Sequence, residues 1–169
     1  MTTTVHVVVM GVAGSGKSTV AAVLRDEYGM ELAEGDDFHP PANIAKMAGG
    51  EPLTDDDRWP WLEALADWTA GRRAAGRSTV VTCSALKRAY RDVLRGPDPD
   101  TFFLHLRGDE ELLRQRIESR EHFMPASLLR SQFEALEDLQ ADERGVAVDA
   151  ALAVPELSRT VLEVVAAAR

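Results

Sequence analysis

Apolar positions along the chain alternate between short continuous runs and spaced stripes. Val5 to Met10 reads Val-His-Val-Val-Val-Met, a β-branched run suited to a strand buried on both faces. After a glycine-rich stretch from Gly11 to Gly16, apolar residues recur at Val20, Val23, Leu24 and Tyr28. That is helical spacing, and it predicts a helix over 17–28 with Gly29 as its C-cap. Glu31 to Ala33 predicts a short second strand, Asp36 to Pro41 a loop, and Pro41 to Met47 a short helix. Thr54-Asp55-Asp56-Asp57 precedes a longer helix with Pro60 near its first turn and Trp61, Leu65 and Trp68 on one face. Ser78 to Cys83 and Thr101 to Leu106 predict the third and fourth strands; helices follow them over Leu86 to Leu94 and from the cap Asp109 to about Arg120. Ser127 caps another helix striped by Leu129, Phe133 and Leu136, Gly145 to Val148 predicts a weak fifth strand, and Pro155 opens a final helix. Strands alternating with helices imply an α/β fold, a mostly parallel sheet covered on both faces. No repeat or linker interrupts the pattern, so residues 1–169 predict a single domain.

Composition narrows the function classes. No run approaches the ~18 apolar residues needed to span a membrane, and the N-terminus carries no secretory pattern. Cys83 is the single cysteine, which excludes an intrachain disulfide and a cysteine metal cage. These features favour the cytoplasm. The formal net charge is -9, against the basic surface that nucleic-acid binding requires. Such a chain binds an anion only through a local cluster of donors.

One cluster is explicit. Gly11-Val-Ala-Gly14-Ser15-Gly16-Lys17-Ser18 fits the phosphate-loop pattern G-x-x-x-x-G-K-[ST] between an apolar strand and an amphipathic helix. Glycines let backbone N–H groups turn toward phosphate oxygens, and the helix N-terminus adds partial positive charge. Gly11, Gly14, Ser15, Gly16, Lys17, Ser18 and Thr19 are therefore candidates to hold ATP, with Lys17 reaching the β/γ-phosphates and Ser18 ligating Mg²⁺. No Asn-Lys-x-Asp guanine reader is present. At this length the pattern favours a kinase of small molecules.

Arg116 and Arg120 share a helix face beside the apolar stripe, with no carboxylate three or four positions away, whereas Arg114 has Glu110, Glu111 and Glu118. Arg116 and Arg120 are candidates for the nucleotide, and Glu121 to Pro125 for the tip of a mobile lid within about 116–130. Lys87, Arg91 and Arg95 form an i, i+4, i+8 row. Lys87 and Arg91 are candidates for a clamp on a substrate carboxylate, and Arg95 for solubility alone. Glu34 and Asp36 follow strand two at the sheet edge where ligands bind, placed to hold the Mg²⁺ shell and to accept a proton from an attacking hydroxyl. Arg58 either pairs with Asp55 to Asp57 or reaches the substrate. Trp59, Trp61, Trp68, Cys83, His6 and His105 read as packing.

The phosphate loop, Gly35-Asp36 with Phe38-His39-Pro40, Asn43-Ile-Ala-Lys46-Met47, Gly50-Glu-Pro-Leu-Thr-Asp55-Asp56-Asp57-Arg58 with Pro60-Trp61-Leu62, Cys83-Ser84-Ala85-Leu86-Lys87 with Tyr90-Arg91-Asp92, and Gln132-Phe133-Glu134 together resemble gluconokinases of the P-loop type. The resemblance spans nearly the whole chain. It implies a P-loop kinase three-layer fold like that of shikimate and nucleoside-monophosphate kinases. The sheet would have five parallel strands in the order 2-3-1-4-5, with substrate-side helices in about 40–75. It implies transfer of the ATP γ-phosphate to the 6-hydroxyl of D-gluconate, with Asp36, His39, Arg58, Lys87 and Arg91 on the substrate side, Lys17, Asp36 and Arg120 in catalysis, Ser18 and Glu34 at Mg²⁺, and a homodimer. From the residues alone, shikimate kinase chemistry and a non-catalytic nucleotide switch remain open.

Overall fold

The computed structural model describes residues 3–96, 98–119 and 127–169. Five strands form one parallel sheet: β1 (His6–Met10), β2 (Glu31–Glu34), β3 (Thr79–Thr82), β4 (Phe102–Arg107) and β5 (Gly145–Asp149). Their order is β2-β3-β1-β4-β5, as the resemblance implies. Successive side chains of a strand point to opposite faces, and both faces here are dry. Val7 and Val9 join one core with Val80, Leu104, Leu106 and Val148, under α1 (Lys17–Tyr28) and α7 (Val154–Ala168). Val8 and Met10 join the other with Val81, Cys83 and Phe103. That face is covered by α2 (Pro41–Ala48), α3 (Asp55–Ala74), α4 (Arg88–Arg95), α5 (Glu110–Glu118) and α6 (Ser127–Ala135). The continuous apolar run of β1 is explained by this double burial.

Helix limits follow local chemistry. Thr54 caps α3 in a capping box: its hydroxyl accepts from Asp57 N–H, and the Asp57 carboxylate accepts from Thr54 N–H. Asp109 caps α5 through Leu112 N–H. Residues 35–38 differ from the expected loop: they form a 3-10 turn, Gly35–Phe38. Gly35 lets that turn lie against β3, because a Cβ there would stand 2.1 Å from the Thr82 carbonyl oxygen. Among the described residues no helix is long and apolar enough to cross a membrane.

β1 pairs with β3 on one side and β4 on the other, while its own continuation turns into α1. The C-terminal end of β1 is thus a switch point, the location at which open parallel sheets bind ligands. Residues 11–16 cross it.

Candidate active site

Gly11, Gly14 and Gly16 have φ of 149°, 81° and 99°. These left-handed values suit glycine, and they wrap the loop around the N-terminus of α1. Gly16 is the N-cap and uses no side chain, so the first-turn N–H groups of α1 have no intrahelical acceptor. Lys17 Nζ donates to the carbonyls of Gly11 (3.0 Å) and Val12 (3.1 Å), bridging the loop. Burial lowers the Lys17 pKa, and the Asp36 carboxylate opposes that shift.

A cleft opens in front of this loop. Gly14, Gly16, Lys17, Ser18, Thr19, Glu34, Asp36, His39, Arg58 and Arg116 all line it, so ten of the residues singled out in the sequence converge. Gly11 and Ser15 lie behind it, buried as supports of the loop. Ser18 Oγ donates to Glu34 Oε2 (3.1 Å), which also accepts from Thr82 Oγ1 (2.6 Å). Hydroxyls and a carboxylate make an all-oxygen donor set, which suits Mg²⁺ completed by phosphate oxygens and water. No group of three or more His, Cys, Asp or Glu that could hold a metal occurs among the described residues.

The substrate-side wall is built by α2 and α3. Asn43 Nδ2 donates to the Asp57 carbonyl (2.9 Å) and to His39 Nδ1 (3.3 Å), and Lys46 pairs with the Asp57 carboxylate at 2.7 Å. That Lys46 bond, with the Thr54 N–H, holds the Asp57 carboxyl at about 2. The His39 ring stacks on Trp61 with centroids 4.0 Å apart, and Trp61 Nε1 donates to the Gly35 carbonyl (2.7 Å). Burial, reinforced by the nearby Arg58 charge, drives the His39 pKa down to about 4. The ring is therefore neutral near pH 7 and, with Nδ1 accepting, carries its proton on Nε2.

Arg58 lines the same cleft with its guanidinium carbon 5.2 Å from the centre of the Tyr90 ring. Its Nε is buried without a hydrogen-bond partner, and its Nη2 donates to the Leu53 carbonyl at 3.4 Å. A buried unpaired guanidinium N–H is costly. Arg116 Nη2 donates to the Ala150 carbonyl at 2.7 Å and faces the cleft, whereas Arg114 pairs with Glu110 at 2.7 Å on the outside. Helix phase and the carboxylates around Arg114 separated these two in the sequence.

The expected clamp of Lys87 and Arg91 is corrected at Arg91. Arg91 is fully buried and does not line the cleft. Its guanidinium forks onto Glu143 at 2.8 and 3.1 Å and donates to the carbonyls of Ala85, Leu86 and Asp138. All its donors are occupied, so none is left for a substrate. Arg95 is not merely solubilising either: it pairs with Glu143 at 2.6 Å and with Asp92. Lys87 pairs with Asp55 at 3.1 Å outside the cleft lining. The spacing i, i+4, i+8 was real, but Arg91 and Arg95 meet Glu143, a carboxylate of this chain about fifty residues away, and Lys87 meets Asp55. Arg120 and the lid tip, Glu121 to Pro125 with His122, lie outside the described residues.

Among the cleft residues without an assigned role, one holds the phosphate loop. Gln132, on α6, lines the cleft and accepts the Ala13 N–H at 2.7 Å through its side-chain oxygen. Its only sequence signal was membership in the Gln132-Phe133-Glu134 motif.

Comparison with known proteins places this geometry in a family. A family model described as an AAA domain matches residues 7–142. The gluconokinase of Gluconobacter oxydans is 52% identical over 137 residues, covering 80% of this chain and 77% of that protein. The chain belongs to the gluconokinase family. Solved structures agree in shape as well as sequence. A gluconokinase from Sinorhizobium meliloti superposes with a TM-score of 0.87 at 48% identity, covering 96% of this chain and 92% of that one. An unliganded sugar kinase from a Janibacter species gives a TM-score of 0.91 at 54% identity, covering 98% of each chain.

Proposed function

We propose that this protein is a gluconokinase, transferring the γ-phosphoryl group of ATP to the 6-hydroxyl of D-gluconate to give 6-phospho-D-gluconate and ADP. The observation that carries the reading is one cleft shared by the phosphate loop and by Arg58, whose buried Nε awaits an acceptor. Gluconate is an anion with its carboxylate and its reacting hydroxyl at opposite ends of a six-carbon chain. The same cleft is lined by Lys17 and Ser18 of the phosphate loop and by Arg58 and His39, and in this reading the first pair serves the reacting hydroxyl and the second the carboxylate.

In this proposal the α1 amides and Lys17 hold the β/γ-phosphates, and Arg116 contacts the nucleotide, joined by Arg120. Ser18 and Glu34 would hold Mg²⁺, which would supply positive charge against the phosphates. Asp36 faces Lys17 from the 3-10 turn, orients the 6-hydroxyl and accepts its proton. The transition state is loose, so Asp36 serves positioning more than full proton abstraction. Arg58 binds the carboxylate, and the neutral His39 donates from Nε2 to a sugar hydroxyl. A cytoplasmic homodimer completes the proposal.

The test is ADP release by the purified protein with ATP and Mg²⁺ on adding gluconate, shikimate or neither. Turnover is expected with gluconate alone. Turnover with shikimate, or none with either metabolite, would overturn the proposal.

A further inference from the structure

We propose that the buried Arg91–Glu143 pair is a positioning device: it holds a strained turn at Ala85 against the base of the phosphate loop and thereby sets where the phosphate-binding amides stand. Its catalytic consequence rests on the kinase reading above.

The chain leaving β3 runs along the C-terminal edge of the sheet beside the phosphate loop. Cys83 N–H donates to the Val9 carbonyl (3.1 Å), and one step further Gly11 N–H donates to the Ser84 carbonyl (3.3 Å). The first residue of the phosphate loop is therefore fixed to Ser84, which itself lines the cleft. The next residue, Ala85, has φ 46°, the one left-handed non-glycine conformation among the described residues. Such a conformation persists only where its surroundings over-determine it.

Arg91 supplies that constraint. From α4 it reaches back so that Nη1 donates to the Ala85 carbonyl (2.9 Å) and the Leu86 carbonyl (3.2 Å). Its own position is set by Glu143, which also receives Arg95 and the Gln140 N–H (2.8 Å). Burial pushes the Glu143 carboxyl up, but these bonds outweigh it and hold the group at about 2, so it stays charged. Glu137 N–H adds a second clasp on the Leu86 carbonyl (2.7 Å). Glu137 and Glu143 lie just beyond α6, whose Gln132 holds Ala13. The first part of the phosphate loop is thus tied to one frame at two points, Gly11 through Ser84 and Ala13 through Gln132. A buried ion pair is a poor way to gain stability, since apolar replacements often serve as well. What it supplies here is a fixed geometry with donors aimed at two particular carbonyls.

The test uses the full chain and three variants. Arg91→Lys keeps the buried charge but cannot reproduce the fork. It should lower kcat roughly 10- to 100-fold, as small misplacements of reacting groups do. It should also weaken ATP binding measured by calorimetry without gluconate, while leaving KM for gluconate within about threefold. Ala85→Gly accepts φ 46° without strain and alone should stay within about twofold of the parent. Combined with Arg91→Lys, it should recover most of the lost kcat and ATP affinity, because the turn no longer needs to be forced. Glu143→Asp, which retains the charge and withdraws the carboxylate, is the third variant and should be rescued in the same way. A rise confined to KM for gluconate would make Arg91 a substrate ligand instead. Unchanged kcat and ATP affinity in folded Arg91→Lys, or no rescue by Ala85→Gly, would overturn the proposal. Failure of the parent protein to phosphorylate gluconate would count against the kinase reading alone, since ATP affinity and its rescue would still be read.

Discussion

Lys17 and Arg58 are two cations in one cleft with different surroundings. Lys17 bridges two loop carbonyls and faces Asp36, so its charge is already held in place before a ligand arrives. Lys17→Ala should leave the thermal midpoint nearly unchanged and lower kcat by about 10²–10³, the usual loss for one preorganised electrostatic contact. Steady-state kinetics beside a melting curve checks both halves, and near-full turnover in a folded variant would refute the assignment. Arg58 rests on the Tyr90 ring with an unsatisfied Nε. Arg58→Ala should raise KM for gluconate at least tenfold and affect KM for ATP little. It should also lose the parent's preference for gluconate over a neutral analogue bearing an alcohol in place of the carboxylate. Retained preference would place the carboxylate elsewhere. Cys83 borders both groups, but burial pushes its thiol up to about 12, so it is protonated and acts as packing.

At the scale of elements, the short 3-10 turn carrying Asp36 is the point where packing and chemistry meet. Gly35 permits its contact with β3, Thr82 Oγ1 accepts the Gly35 N–H (3.1 Å), and Trp61 donates to the Gly35 carbonyl. A methyl at residue 35 must push the turn off the strand, carrying Asp36 and Glu34 with it. Gly35→Ala is therefore expected to cost about 1–3 kcal/mol of stability by overpacking and to lower kcat about 10²-fold by displacement. Urea denaturation and kinetics on the same preparation check this. A stability loss with unchanged kcat would show that Asp36 does not depend on the turn. The sequence pattern classed this segment as a loop because four residues hold too little periodicity to show a helical turn. By contrast α1, α3 and α7 were legible, since their apolar stripes extend over three or more turns.

At the scale of the molecule, protonation links burial to pH. Burial lowers the pKa of His39 and of His105 to about 4, below the ordinary 6.5. The unfolded chain therefore takes up these protons first as pH falls. The stability contributed by each neutral ring is fully present above about pH 6.5 and is lost progressively down to about pH 4, by at most ~1.4 kcal/mol per pH unit for each ring. Below that, Glu143 and Asp57, both held near 2, extend the loss in the same direction. The urea midpoint should fall steadily from pH 7 to 4.5, and His105→Gln should flatten that slope by about one proton. A pH-independent midpoint over this range would contradict the buried neutral state of both rings.

Local chemistry determined much of this protein. Alternation and helical spacing specified the elements, and Gly11 to Ser18 specified the phosphate site, because a loop that binds phosphate through its own backbone is written in consecutive residues. The phase of Arg116 against Arg114 was legible for the same reason: a helix places residues by its own period. Only the tertiary structure decided the fate of Arg91. Its row with Lys87 and Arg95 looked like an anion site, and the anion is Glu143, brought to it by the crossing from α6 to β5. Gln132 is the converse case, an ordinary polar position on α6 until folding sets it against Ala13 N–H. Pairings over fifty or a hundred residues depend on which elements pack together, and a one-dimensional pattern carries no distance across a core.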